Sequence, residues 1–354
     1  MSLEEKIKEF NPNDLGKKDA NIFGLPFTTE EARVVVVPVP WEVTVSYGGG
    51  TINGPEAVFD ASMQVDLFDP FLANAWKLGV AMDEIPKKLK TESRRLRRQA
   101  ERYIDLLASG KNALANAEMK KIQSEINAAS LRMIERVKKT TAEHIASGKM
   151  VALIGGDHST PLGFIKALGE KYSEFGVLQI DAHADLRDAY EGFTYSHASI
   201  MFNVLKEVPS VKKLVQAGTR DYCEDEVNVI KHSNGRVQTY FDKEIKYQLY
   251  NGKSIRALHV EIVQQLPKHV YISFDIDGLD PKLCPNTGTP VPGGFEFEEA
   301  AHLLQTIVES GRTIIGFDIN EVSPGGDEWD ANVGARLLYR MINMMAKSNG
   351  ITSL

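Results

Sequence analysis

Cysteine is almost missing from this 354-residue chain, which contains only Cys223 and Cys284. Two thiols cannot form a disulfide framework, and they lack the spacing of a zinc site, so a reducing compartment is expected. A basic excess is also missing. Lys and Arg number 41 against 48 Asp and Glu, a formal net charge of −7, and no dominant cationic patch gathers along the chain. That excludes the electrostatic footprint of a nucleic-acid binder. No run of about 18 apolar residues occurs, and the start, with Glu4, Glu5 and Lys6, has no apolar leader. The absences predict a soluble cytoplasmic protein whose partner is a small molecule, with no nucleic acid and no membrane involved.

What is present is ordinary globular material, 43% hydrophobic and 25% charged, enough for a large core. Residues 1–32 are polar and broken by Pro12, Gly16 and Pro26, and read as an N-terminal arm on the surface of a single domain spanning 33–354. Short apolar runs recur at Arg33–Pro40, Leu78–Met82 (the weakest), Met150–Ile154, Gly176–Ile180, Lys213–Ala217, Arg236–Tyr240, His269–Phe274 and Arg312–Phe317. Helical or polar stretches separate them. About eight strands alternating with helices predict an α/β fold, a three-layer α/β/α domain around one parallel sheet. From about 86 to 148, apolar residues recur at helical spacing (Leu96, Ala100, Tyr103, Leu107, then Ile122, Ile126, Ala129, Met133, Val137), which predicts a helical insertion used for packing or subunit contact. Between Thr44 and Pro55, Gly48, Gly49, Gly50 and Gly54 suit the wall of a ligand-binding mouth or a plain long turn; the Lys-Ser/Thr ending of a phosphate loop is absent.

Four strands end in acids or imidazoles. Met150–Ile154 runs into Gly155-Gly156-Asp157-His158-Ser159, Gly176–Ile180 into Asp181-Ala182-His183-Ala184-Asp185, His269–Phe274 into Asp275-Ile276-Asp277-Gly278-Leu279-Asp280-Pro281, and Arg312–Phe317 into Asp318-Ile319-Asn320-Glu321. Ligands of open α/β sheets bind at the carboxyl ends of the strands. So many carboxylates at one rim must either protonate or surround cations, and the two imidazoles favour cations. Oxygen-rich donors with one imidazole per ion suit Mn²⁺ better than Zn²⁺, with Ni²⁺, Co²⁺ and Fe²⁺ as alternatives. A pair of such ions implies hydrolysis. Glu321 at the same rim suits a planar guanidinium, and His197 can move protons or orient substrate. Asp157 and Asp280 read as turn or supporting residues.

These motifs resemble the three signature motifs of the ureohydrolases, the arginase and agmatinase family, and occur in family order. The resemblance runs from about Val34 to the C-terminus outside the helical stretch, and extends to Thr287-Gly288-Thr289-Pro290 and Asp318-Ile319-Asn320-Glu321-Val322-Ser323-Pro324. It implies an arginase-like fold, two Mn²⁺ per chain, hydrolysis of a guanidino compound to urea and an amine, and a homo-oligomer, trimer or hexamer. Carried over by position, His158, Asp181, Asp185 and Asp275 match the ligands of one metal, and His183 and Asp277 join the bridging Asp181 and Asp275 at the second. The resemblance further implies that Asp185 holds the attacking oxygen and passes its proton to the leaving amine, Glu321 anchors the guanidinium, and His197 assists proton transfer.

The segment Leu186–His197 resembles agmatinases rather than arginases, so agmatine is the expected substrate, cleaved to putrescine and urea. Asp188 and Glu191 form an acidic rim suited to its distal ammonium, with Arg187 turned away or paired, and Trp329 is positioned in sequence to close the pocket. Guanidinobutyrate, guanidine or arginine are alternative substrates. A metal-binding assembly protein without catalysis would be expected to lack Glu321 or His197, and a single-zinc deacetylase would lack the full second motif.

Overall fold

Alternate residues along the expected strands face two different apolar cores, which is how a strand buried on both sides must be built. Val34 and Val36 point into one core and Val35, Val37 and Val39 into the other; Ala152 and Ile154 are opposed in the same way to Val151 and Leu153. The computed structural model describes residues 3–14, 19–110 and 116–352. The strands are β1 (Val34–Val39), β2 (Val80–Met82), β3 (Met150–Gly155), β4 (Phe175–Ile180), β5 (Val211–Thr219), β6 (Val237–Phe241), β7 (His269–Asp275) and β8 (Thr313–Asn320). They form an eight-stranded sheet in the order β2-β1-β3-β8-β7-β4-β5-β6, and every pairing is parallel. β3 and β4 follow each other in sequence yet lie apart, with β8 and β7 between them. That displacement puts the ends of the four acid-bearing strands side by side at the centre of the sheet.

Helices cover both faces, giving the three-layer α/β/α architecture. On one side lie α2 (Gly54–Ser62), α8 (Asp242–Tyr250), α9 (Ile255–Gln264), α10 (Phe297–Glu309) and α11 (Trp329–Ser348); on the other lie α3 (Lys87–Ala108), α4 (Ala117–Ala146), α5 (Leu162–Lys171), α6 (Ile200–Glu207) and α7 (Glu224–His232). α4 starts cleanly because the Asn116 side chain accepts the N–H groups of Glu118 and Met119, satisfying two of the donors that every helix start leaves free.

The helical stretch from 86 to 148 takes the packing role of the two expected for it: Leu89, Leu96, Ile126, Met133, Ile134 and Val137 share a core with Val35, Val37, Val151 and Leu153. The chain must pass over this face to run from β2 to a parallel β3, and α3 and α4 are the crossover that covers it. One expectation changes: the stretch before residue 33 is not only a surface arm. A short helix, α1 (Leu3–Glu9), is tied down by Lys6 to Glu31 at 2.7 Å. Beyond it Ile22, Phe23, Leu25 and Phe27 are at most 3% exposed, and the Asn21 Oδ1 accepts the N–H of Met82 at 2.8 Å, joining the segment to the end of β2. Four large apolar residues within six positions outweigh the polar character around them. Gly16 lies outside the described residues.

If α3 and α4 belong to the one cooperative unit, Ile126→Ala should lower the whole unfolding transition by about 2–5 kcal/mol, read as a single shifted denaturant curve. A separate early transition would show that the helices melt by themselves.

Candidate metal centre

The two central motifs solve the same local problem in the same way. Asp181 Oδ1 accepts the N–H of His183 at 2.6 Å, and Asp275 Oδ1 accepts the N–H of Asp277 at 2.9 Å. An aspartate that bonds the backbone two residues on closes a turn at the strand end, and the second functional side chain then swings back beside the first. Asp277 Oδ1 takes the N–H of Ala182 at 3.0 Å, locking the two turns together. Each carboxylate thereby has one oxygen fixed by the backbone and the other turned inward.

The inward atoms converge. His158 Nδ1 lies 3.0 Å from Asp181 Oδ2, 3.1 Å from Asp185 Oδ2 and 3.3 Å from Asp275 Oδ2, yet it has no hydrogen-bond partner among the described residues. His183 Nδ1 lies 3.0 Å from Asp277 Oδ2 and 3.6 Å from Asp181 Oδ1. His158, Asp181 and Asp185 offer donor atoms all within 4.8 Å of one another, and so do Asp181, His183 and Asp277. Asp181 is common to both groups. All of these residues are buried except His183, whose side chain is 24% exposed and marks the solvent side of the cluster. Asp185 reaches its place only by taking a left-handed backbone, φ 53°, an uncommon conformation for a side chain larger than glycine.

A buried polar row lies one step beneath this cluster. Thr239, Gln216, Gln179, Ser273 and Asp318 are register neighbours across β6, β5, β4, β7 and β8. Thr239 Oγ1 donates to Gln216 Oε1 at 2.6 Å, Gln216 Nε2 to Gln179 Oε1 at 2.7 Å, and Gln179 Nε2 to Asp181 Oδ2 at 2.7 Å. From the other side, His158 Nε2 meets Ser273 Oγ at 2.9 Å, and Ser273 Oγ donates to Asp318 Oδ1 at 3.1 Å. Asn320 also donates to Asp318, and Thr160 to Asn320. The row directs both Nδ1 of His158 and Oδ2 of Asp181 toward the centre. Sequence reading missed Gln179, Gln216 and Thr239, although a polar residue two positions before a site residue shares its face of the strand.

Around this centre, Glu321 follows β8 with φ 62°; its Oε1 accepts the N–H of His158 at 2.9 Å, and its Oε2 is buried without a partner among the described residues. The glycine-rich strap takes the mouth-wall reading. Gly48 donates its N–H to the Gly288 carbonyl at 3.0 Å, so close that an added Cβ would lie 2.6 Å from that oxygen, and Gly288 in turn faces Glu321 Oε2. Glu42, unnoticed in the sequence, anchors the strap by accepting from Gly50 N, Thr51 Oγ1 and Ile52 N at 2.7, 3.0 and 2.9 Å. Asp157 and Asp280 are turn residues as read: Asp157 accepts from the N–H groups of Ser159 and Val43, and Asp280 from Lys282.

His197 is half-buried in a short 3-10 turn, with the Tyr190 ring edge-on 5.9 Å away. Arg187 is paired, 3.8 Å from Glu226 and stacked on Tyr190. The remaining two expectations fail on position. Asp188 turns to solvent, its side chain 73% exposed and 3.6 Å from Lys206, where an ion pair is worth little. Trp329 is 46% exposed at the start of α11, and its indole N–H donates to the Lys282 carbonyl, which holds the ring outside the cluster.

The arginase family model matches residues 32–343. The chain belongs to the arginase family. It is 31% identical to the N(1)-aminopropylagmatine ureohydrolase of Thermus thermophilus, over 95% of each protein, and 25% identical to the agmatinase of Bacillus anthracis, over 85% of this chain and 87% of that one. The agmatine ureohydrolase of Thermoplasma volcanium has the same fold, with a TM-score of 0.68 at 22% identity, covering 97% of this chain and 98% of the other. Ureohydrolases of this family are hydrolases of amidine C–N bonds.

The electrostatics of this arginase-family site fit divalent cations. Burial raises the Asp185 carboxyl, and the neighbouring Asp181 adds to the rise, to about 7. Asp275 is pushed well up by burial and then by Asp277 and Asp181. Burial opposes the charged form of His183, but Asp277 and Asp181 prevail and lift it to about 12. Without an ion the cluster therefore retains protons at neutral pH, and an ion must displace them. Apparent metal affinity should rise with pH across the neutral range, and calorimetry in buffers of different ionisation heat should show proton release on binding. Equal heats in all buffers would contradict that assignment. Ser273→Ala should weaken binding of the ion at His158 by about 10–100-fold, measured by metal titration with the second site as internal reference.

Proposed function

We propose that the protein hydrolyses agmatine, or a guanidino compound extended from it, to urea and the corresponding amine. The observation that carries this reading is the meeting of two groups of possible ion donors at Asp181 beside Glu321, a buried carboxylate with one oxygen unpartnered among the described residues. The names of the relatives from Thermus thermophilus and Bacillus anthracis support the same substrate class. The residues that would hold two ions, taken as Mn²⁺ with Ni²⁺ or Co²⁺ as alternatives, are His158, Asp181, Asp185 and Asp275 for one and Asp181, His183, Asp275 and Asp277 for the other. When bound, such ions supply Lewis acidity that makes water nucleophilic at neutral pH.

The chain's own side chains do the rest. Glu321 Oε1 is occupied by the His158 N–H, so Oε2 receives the guanidinium and aligns its plane. Burial pushes the Glu321 carboxyl well above its ordinary range, and Asp275 and Asp157 add to the push; an arriving guanidinium reverses that by favouring the anion. Asp185 holds the attacking water by a hydrogen bond and passes the proton to the leaving amine. Burial, and then His183, His158 and Arg97, lower His197 to about 3, so its imidazole stays neutral and orients substrate through its ring nitrogens. The same reading makes the enzyme a cytoplasmic homo-oligomer, a trimer or hexamer.

Loaded with Mn²⁺, the enzyme should release urea from agmatine. Glu321→Gln should keep its full ion content while losing about 100-fold or more in kcat/KM. Two ions bound but no urea from any guanidino compound would favour a metal-binding assembly protein instead.

A further inference from the structure

We infer that Asp330, in the first turn of α11, is a positioning residue for the guanidinium: through Asn286 it fixes the loop that lies over Glu321, the carboxylate assigned to that group. The inference rests on the proposed reaction and names what sets the shape of the seat.

Asp330 is fully buried, where a carboxylate is tolerated only if its oxygens are bonded. Both are taken by one residue. Asn286 donates its backbone N–H to Oδ1 and its side-chain Nδ2–H to Oδ2, each at 2.9 Å. Bonds to a charged acceptor are the strong kind, and a residue held by backbone and side chain at once can neither swing nor slide. The neighbouring Trp329 adds a second tie, its indole N–H donating to the Lys282 carbonyl at 2.9 Å. Asn286 also lies against the segment that joins Glu321 to α11: a Cβ on Gly325 would come within 2.4 Å of three of its side-chain atoms.

The loop needs this outside support. Its own turn bonds run from Leu283 N to Asp280 O at 2.8 Å and from Cys284 N to Pro281 O at 3.3 Å. Pro285 and Pro290 then lack the N–H groups that would extend such a pattern. Asn286, between them, is where α11 takes hold.

The next two residues reach the site. Thr287 Oγ1 donates to the Glu321 carbonyl at 2.9 Å. A Cβ on Gly288 would lie 3.3 Å from Glu321 Oε2, the oxygen without a partner among the described residues. The Gly288 carbonyl accepts the N–H of Gly48 at 3.0 Å, so the same loop also carries the glycine-rich strap. Glu321 holds a left-handed backbone, φ 62°, which persists only where the surroundings impose it; the Thr287 bond and its own N–H on the Gly156 carbonyl at 2.8 Å are two such constraints. With the loop this close to Oε2, a shift of about 1 Å would misalign the guanidinium and cost about 100-fold in rate.

The test separates positioning from mere anchorage of α11. Asp330→Ala removes both acceptors, whereas Asp330→Asn keeps two bonds once the Asn286 amide turns over. On the metal-loaded protein, Asp330→Ala should weaken calorimetric binding of guanidinium ion, and lower kcat/KM for urea release from agmatine, by about 10–100-fold. The two-ion content should not change, and Asp330→Asn should recover most of both losses. In a Glu321→Gln background, Asp330→Ala should lower kcat/KM little further, because the oxygen it positions no longer carries charge. Equal losses in both backgrounds, or an Asp330→Ala protein that melts early yet binds guanidinium like the wild type, would overturn the inference. If Asp330→Ala does not fold, Asn286→Ala cuts the same link from the loop side and must give the same loss and the same coupling. If guanidinium binding follows this pattern but no guanidino compound yields urea, the reaction assigned above fails while the role of Asp330 stands.

Discussion

Repulsion among like charges is the constraint around which this molecule is arranged. Asp181, Asp185, Asp275, Asp277 and Glu321 are all at most 4% exposed, and burial of unpaired carboxylates side by side is strongly unfavourable. The structure does not relieve this by spreading them apart. It fixes one oxygen of Asp181, Asp275, Asp277 and Glu321 with a backbone N–H and sets two imidazoles among the oxygens that remain. Convergent half-satisfied carboxylates are what a divalent cation requires, and tying down the outer oxygens removes the freedom that would let them turn away.

The sheet makes this possible. Parallel strands end together, and the order β3-β8-β7-β4 lines up four of those ends. Because side chains alternate, a functional residue and the one two places before it share a face. The row from Thr239 to Asp318 is the consequence: the layer of side chains under the His and Asp cluster is polar, and it is fastened through the same strand register that positions the cluster itself. A slip of one residue at any of these strands would turn the row to the opposite layer. Register and chemistry are therefore one specification.

Much of this is legible in advance because β-branched runs followed directly by acids signal both a buried strand and what stands at its end. All eight expected strands form, and His158, Asp181, Asp185, Asp275 and Asp277 converge as their motifs suggest. His183 completes the group from the exposed side. Other features depend on information no short window contains. Gln179 sits inside an apolar run and reads as part of it; only the neighbouring strands reveal that Gln216 and Ser273 flank it. Asp188 and Glu191 look equivalent as acids in a loop, and only the folded chain shows that one turns to solvent while an oxygen of the other is enclosed. Trp329 follows the Glu321 motif closely, but the start of α11 carries it to Lys282. The N-terminal stretch misleads because its prolines and charges mask Ile22, Phe23, Leu25 and Phe27; the packing of the helices after Pro86 is legible, but a long amphipathic pattern gives no sign of which sheet face it will cover.

The bonds at the start of α11 give both sides of the space at Glu321 a common support. Glu321 leads into that helix along the chain, and Thr287 and Gly288, which lie against it, are tied to the same helix through Asn286. A helix of 20 residues is a rod about 30 Å long and moves as one piece. Its motion carries both sides together, so the opening keeps its gauge. It behaves like the jaws of a caliper locked by one screw, measuring what enters rather than yielding to it.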